Sequence, residues 1–149
     1  MSLVIGADHN GLGLKKIIIE FLKEQNVEYE DLGTKTSDPV DYPDIAKKVA
    51  IAVTQGKFSR GILICGTGLG MDIAANKVRG IRATVCHDLY SAERSRKSNN
   101  AQIMTMGAQI IGPELAKKLV EVWLNSEFEG GRSAPKVRKI MEIEKENFS

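Results

Sequence analysis

The sequence predicts an α/β domain in three layers, with a five-stranded parallel sheet between helices, and three observations carry that expectation. Short apolar runs alternate with amphipathic helical patterns along the whole chain. Most of these runs are continuously apolar, as strands covered on both faces are. The two most unusual polar turns each stand directly after such a run.

Leu3 to Ala7 is a β-favouring apolar run that stops at Asp8-His9-Asn10-Gly11. Leu14, Ile17, Ile18, Phe21 and Leu22 then mark one helix face, with Lys15, Lys16, Glu20 and Lys23 on the other. A second strand is expected over Val27–Leu32, followed by a polar loop through Asp38-Pro39 and a helix from Asp41 to Gln55 stopped by Gly56. The third strand, Gly61–Cys65, runs into Gly66-Thr67-Gly68-Leu69-Gly70, which opens a helix reaching Val78. The pattern continues with a strand over Arg82–Cys86, a helix over Leu89–Lys97 and a strand over Ile103–Met106. Helices over Pro113–Leu124 and Ser133–Glu146 finish the chain, separated by Glu129-Gly130-Gly131-Arg132. No internal repeat or low-complexity segment divides the chain, so residues 1–149 are read as one domain.

Right-handed crossovers and five strands suggest a Rossmann-like, flavodoxin-like sheet in the order 2-1-3-4-5. The chain then reverses direction between strands 1 and 3, and ligands bind at the carboxyl ends of that pair. The order brings Asp8-His9-Asn10-Gly11 together with Cys65-Gly66-Thr67-Gly68-Leu69-Gly70.

Composition narrows the function classes. With 42% hydrophobic residues, 27% charged residues and a formal net charge of +2, nothing calls for nucleic acid. No run of about 18 apolar residues is present, and the start lacks the basic front end of a secretory signal. The expectation is a soluble, cytoplasmic protein without a membrane partner. Cys65 and Cys86 are too few for a disulfide framework or a zinc site.

Glycines at 66, 68 and 70 let backbone N–H groups approach an anion at the start of a helix. Such a turn also serves tight strand–helix packing. Cys65 stands at its entrance, where those amides favour the thiolate, so it reads as a base or nucleophile, or as a small buried hydrophobe. Cys86 has only the second reading, because no glycine turn follows it. Single residues remove sharper motifs. Met71 stands where a dinucleotide fingerprint needs glycine and where a Cys-x5-Arg phosphate loop needs arginine. The Gly-Lys-Ser/Thr of a nucleotide-binding phosphate loop is missing, and Cys65 replaces the aspartate of a receiver domain. Arg132 and Lys136, one helical turn apart, suit a phosphate clamp or a solvated face.

Along almost the whole chain these residues resemble the type B ribose-5-phosphate isomerases, a family that includes the galactose-6-phosphate isomerase subunits. The motifs are Gly6-Ala7-Asp8-His9-Asn10-Gly11, Asp41-Tyr42-Pro43, Gly61-Ile62-Leu63-Ile64-Cys65-Gly66-Thr67-Gly68, Ala74-Ala75-Asn76-Lys77, Gly80-Ile81-Arg82-Ala83 and Glu129-Gly130-Gly131-Arg132. The resemblance implies interconversion of ribose 5-phosphate and ribulose 5-phosphate through an enediolate, without metal or organic cofactor. It makes Cys65 the base, gives the amides of Gly66, Thr67, Gly68, Leu69 and Gly70 to the oxyanion, and lets Thr67 manage protons on substrate oxygens. His9, Arg132 and Lys136 would hold the phosphate, the last two reaching in from a partner in a homodimer. Two such dimers could assemble into a tetramer. Asp8 and Asn99 would meet sugar hydroxyls, and Tyr42 would line the pocket or pack at an interface.

Ser98 departs from members that carry a ring-opening histidine there, leaving that step to Asp8, His9 or water, or the enzyme to substrate that arrives already open. Met71 occupies the place of another branch's glutamate base, which favours Cys65. Two other readings stand beside this one: a hexose-6-phosphate isomerase with a larger pocket, and a phosphosugar-binding module without turnover.

Overall fold

The computed structural model describes residues 2–148, and strands and helices alternate through them as the apolar pattern requires. The elements are β1 (Leu3–Ala7), α1 (Leu12–Glu24), β2 (Tyr29–Asp31), α2 (Tyr42–Thr54), β3 (Arg60–Cys65), α3 (Leu69–Ala75), β4 (Ala83–Val85), α4 (Leu89–Lys97), β5 (Ile103–Gly107), α5 (Pro113–Leu124) and α6 (Ala134–Asn147). A 3-10 turn over Gly131–Ser133 precedes α6.

All pairings are parallel, and the sheet order is β2-β1-β3-β5-β4. This corrects the expected 2-1-3-4-5: the chain skips a place after β3 and comes back to fill it. Burial explains the exchange. Every residue of β5 is buried, whereas β4 has three residues of which only Ala83 is buried. The fully buried strand takes the interior and the short, half-exposed one the edge. Because a right-handed crossover running backwards uses the opposite face, α4 joins α1 and α5 on one side and leaves α2 and α3 on the other. The first face packs Ile5, Ile18, Leu22, Ile62, Met104, Leu119 and Trp123; the second packs Val4, Val49, Leu63, Cys65, Met71 and Ile103. Fully burying a side chain such as Leu63 contributes about 1.5–3 kcal/mol, so strand residues alternating between two apolar faces fix the register.

The outer margin of β4 is closed by side chains. Asn76 Oδ1 accepts the Ala83 N–H at 2.8 Å, its amide donates to the Ala83 carbonyl at 2.9 Å, and Asp72 Oδ2 accepts the Val85 N–H at 2.8 Å. This explains why α3 ends at Ala75 rather than Val78. Asn76 leaves the helix to serve the strand, and the amides of Lys77 and Val78 turn tightly onto the carbonyls of Ala74 and Ala75.

Two buried cations tie loops to the sheet. Lys15, expected on the solvent side of its helix, is 1% exposed; its Nζ donates to Asp31 Oδ1 at 2.6 Å and to the Thr34 carbonyl at 2.5 Å. Arg60 donates to the carbonyls of Trp123, Leu124 and Ser126, closing the carboxyl end of α5, and pairs with Glu127 at 2.7 Å. Burial pulls the Arg60 guanidinium below its ordinary value, and Glu127 opposes the shift.

Candidate functional site

The reversal of chain direction between β1 and β3 survives the changed strand order, and the two polar turns meet there. The Asp8 N–H donates to the Ile64 carbonyl at 3.2 Å, and the Gly11 backbone lies against Ile64. Asp8 is 4% exposed, and its Oδ1 accepts the Gly11 N–H at 3.0 Å, which folds the turn back on itself. His9 Nδ1 accepts the Val40 N–H at 3.2 Å. That bond needs a lone pair on Nδ1, so the ring proton resides on Nε2.

Cys65 ends β3 on the face covered by α2 and α3, 4% exposed, with Sγ accepting the Gly68 N–H at 3.1 Å. Gly68 is the residue that caps α3, and its φ of 79° is a left-handed conformation that suits glycine. Thr67 is exposed, and its hydroxyl accepts the Leu69 N–H at 3.2 Å. The Tyr42 ring covers Gly70: a Cβ there would lie 2.3 Å from Tyr42 Cε1. The start of α2 thereby roofs the start of α3. Asp8, His9, Tyr42, Cys65 and the backbone of Gly66–Gly70 thus surround one end of the sheet.

Ser98, Asn99, Arg132 and Lys136 are not brought to this place. The Asn99 carbonyl accepts from Arg82 Nε at 3.2 Å, and Gly61 at the start of β3 donates its N–H to the Gln102 carbonyl at 2.9 Å. Gln102 and Gly107, which pairs with Cys65, are separated by about 16 Å of extended chain. Ser98 Oγ accepts from Arg94 Nε at 2.9 Å and Nη2 at 2.6 Å, and Arg94 also reaches Glu129 at 3.5 Å. The Glu129 N–H donates to the Lys97 carbonyl at 3.2 Å, which starts the Glu129–Arg132 turn at this opposite end. Arg132 and Lys136 are both exposed.

Four residues near the turn went unnoticed in the sequence. The buried Thr105 hydroxyl donates to the Gly68 carbonyl at 2.8 Å. The Gly107 backbone presses on Thr67. The Gln109 side chain lies against Gly66. His87 Nε2 accepts the Gly107 N–H at 2.9 Å, and burial pulls its imidazole below the ordinary value while Asp88 opposes the shift. His87-Asp88 follows β4 as Asp8-His9 follows β1, a signal the sequence did carry. Cys86 is 1% exposed, and burial pushes its thiol up, which matches its reading as a small hydrophobe. Among the described residues no group of His, Cys, Asp and Glu is placed to hold a metal ion, and no helix is long and apolar enough to cross a membrane.

Comparison with known proteins covers almost the whole chain. The family described as Ribose/Galactose Isomerase matches residues 3–140. A ribose-5-P isomerase B from Listeria innocua is 54% identical over 147 residues, covering 99% of each chain. A D-erythrulose-4-phosphate isomerase from Pectobacterium atrosepticum is 53% identical over 141 residues, 94% of this chain and 93% of its own. The solved ribose-5-phosphate isomerase B of Clostridium thermocellum superposes with a TM-score of 0.96 at 52% identity, covering 98% of this chain and 99% of that one. The alternating sheet, the thiol at its chain-reversal point and these full-length matches together make this chain a member of the ribose/galactose isomerase family of sugar-phosphate isomerases.

Proposed function

We propose that the protein interconverts ribose 5-phosphate and ribulose 5-phosphate, with Cys65 as the proton-transferring base. The observation that carries the reading is the Cys65 thiol, 3.1 Å from the Gly68 amide, inside a glycine turn beside Asp8 and His9. In the forward direction the base takes the proton from C2 of the open aldose. The C2–H electron pair forms the C1–C2 double bond while the C1 oxygen takes up negative charge. Return of that proton to C1 and movement of the O2 proton to O1 leave the ketose, with no net gain or loss of atoms or electrons. Of the amides of Gly66 to Gly70, those of Gly68 and Leu69 donate to Cys65 Sγ and the Thr67 hydroxyl, so the developing oxyanion draws on the others, and the Thr67 hydroxyl passes protons between the two oxygens. The His9 Nε2–H serves the phosphate. Asp8 and Asn99 serve sugar hydroxyls, and the Tyr42 ring closes the pocket over Gly70. Ser98 supplies no titrating group for ring opening, which falls to Asp8, His9 or water.

The clamp residues lie at the opposite end of the same chain, so we read the working unit as a dimer in which Arg132 and Lys136, with Ser98 and Asn99, complete the partner's site. Leu69 and Ile73, 55% and 63% exposed and one turn apart on α3, give that assembly an apolar surface next to the turn.

Isomerisation of ribose 5-phosphate by wild type and Cys65→Ala, in buffer containing a chelator, tests the reading. Loss of turnover in the variant alone is expected, and an equally active variant removes Cys65 from the mechanism. A second reading, a four-carbon ketose phosphate as the preferred substrate, is favoured by the 53% identity to the D-erythrulose-4-phosphate isomerase. The ratio of kcat/KM on ribose 5-phosphate and D-erythrulose 4-phosphate separates the two.

A further inference from the structure

The residues around Cys65 rest on a histidine to which the mechanism above gives no part. Gly107, the last residue of β5, pairs in register with Cys65. Its backbone approaches Thr67 so closely that a Cβ on Gly107 would lie 2.5 Å from the Thr67 carbonyl carbon. Gly68 packs on the same stretch, since a Cβ there would lie 2.8 Å from the Met106 carbonyl carbon and 3.1 Å from the Gly107 nitrogen. The Ala108 N–H donates to the Cys65 carbonyl and the Gln109 N–H to the Gly66 carbonyl, both at 2.9 Å. The base and the first amides of its turn therefore sit on the Met106–Gln109 backbone. Within that backbone the Gly107 N–H donates to His87 Nε2 at 2.9 Å.

That bond imposes a charge state. Nε2 accepts only through its lone pair, so the ring must be neutral with its proton on Nδ1. An imidazolium has no lone pair and would turn an N–H toward the Gly107 amide. The two donors would then face each other, and Gly107 could not hold its place beneath Thr67. Asp88, just before α4, is the charged neighbour that acts on the ring. Cys86 precedes it, Asp72 of α3 accepts the Val85 N–H two residues before it, Cys65 pairs opposite Gly107, and β5 contributes no charged residue.

We propose that His87 is a positioning residue for the Cys65–Gly68 turn: its neutral ring anchors the Gly107 amide, and protonation releases the support beneath Thr67 and Gly68. The inference rests on the reading of that turn as the seat of isomerisation.

Two measurements test it. The first needs no turnover: nuclear magnetic resonance of the wild type across acid to neutral pH, following the His87 ring nitrogens and the Gly107 amide. The Nδ1–H tautomer and a Gly107 shift that titrates with His87 are expected; the opposite tautomer, or a Gly107 amide indifferent to His87, overturns the proposal. The second is the pH profile of kcat and KM for wild type, His87→Gln and His87→Ala. Wild type should lose kcat on the acid side with the midpoint seen for Gly107. His87→Gln, whose amide oxygen accepts at any pH, should lose that limb. His87→Ala should lower kcat about tenfold while KM changes less than about twofold. Variants that keep the wild-type acid limb and kcat overturn the proposal. A wild type inactive on ribose 5-phosphate would count against the proposed substrate alone, since the resonance experiment still decides the role of His87.

Discussion

Replacing Lys15 with methionine tests how loop and sheet are held together beside the site. Methionine keeps the apolar stem and removes the ammonium, so the 2.6 Å contact to Asp31 and the 2.5 Å contact to the Thr34 carbonyl are lost together. Lys15 is 1% exposed and the Asp31 side chain 20%, so water replaces the missing partner only in part. Removing one member of a buried pair costs about 3–5 kcal/mol, mostly because the other charge is left behind. Asp31 keeps the Gly33 N–H at 2.9 Å and some solvent, which places the expected loss near the lower end, about 3 kcal/mol. For a chain of this size that corresponds to about 6–12 °C in Tm. Urea unfolding should show a lower midpoint at unchanged slope. Adding Asp31→Asn removes the stranded charge while an amide oxygen still accepts from Gly33, so the double variant should be more stable than Lys15→Met alone. A double variant no more stable than the single one would refute the reasoning, because the loss would then come from packing and not from an unpaired carboxylate. The 34–41 loop carries the Val40 amide that fixes His9, so KM should rise in Lys15→Met more than kcat falls.

Cys65→Ser should lower kcat about 10²–10⁴-fold in a coupled isomerase assay, with Tm little changed, since a hydroxyl still accepts the Gly68 amide. Mixing inactive Cys65→Ala with inactive Arg132→Gln under conditions that exchange subunits should restore about a quarter of wild-type activity, because half the dimers then hold one intact site. No recovery would argue against a shared site. Gly70→Ala forces a methyl to 2.3 Å from Tyr42 Cε1; that ring is 41% exposed and can swing outward, so stability should hold within about 1 kcal/mol while kcat/KM falls about tenfold. Asp72 gives a pH test. Burial raises its carboxyl above the ordinary 3.8 despite the bonds from Val85 and Asn76. Between the ordinary and the raised value the native state binds more protons than the unfolded one, so this group's contribution to stability falls as pH rises through that window. Asp72→Asn should flatten that part of the decline in the urea midpoint.

Continuous apolar runs made the strands legible, and the polar turns that end β1 and β3 made the place of the site legible as well. The order of β4 and β5 was not legible in this way, because each run holds one threonine, Thr84 and Thr105, and only the tertiary structure shows β5 buried throughout and β4 half exposed. Lys15 shows another kind of limit. A helical pattern assigns a lysine to solvent, and only the tertiary fold reveals Asp31 and Thr34 waiting for its ammonium. The separation of Cys65 from Ser98 and Asn99 follows from element order in a parallel sheet, since Cys65 ends a strand whereas Ser98 and Asn99 lie between a helix and the next strand; that Arg132 and Lys136 also lie away from Cys65 follows from the Glu129–Lys97 contact, which spacing does not give.

The margin of β4 also governs how copies of this chain can meet. Asn76 holds the outward N–H and carbonyl of Ala83 and Asp72 the outward N–H of Val85, much as a sixth strand would. A neighbouring strand therefore finds most of the ladder on that side already taken. The opposite margin, β2, offers only three residues and carries Glu30 and Asp31. Continuous sheets running through several molecules are blocked at both ends, so association is confined to helix surfaces and loops. Substituting Asn76 would open a template for fibril-like stacking without touching a single residue of the proposed site.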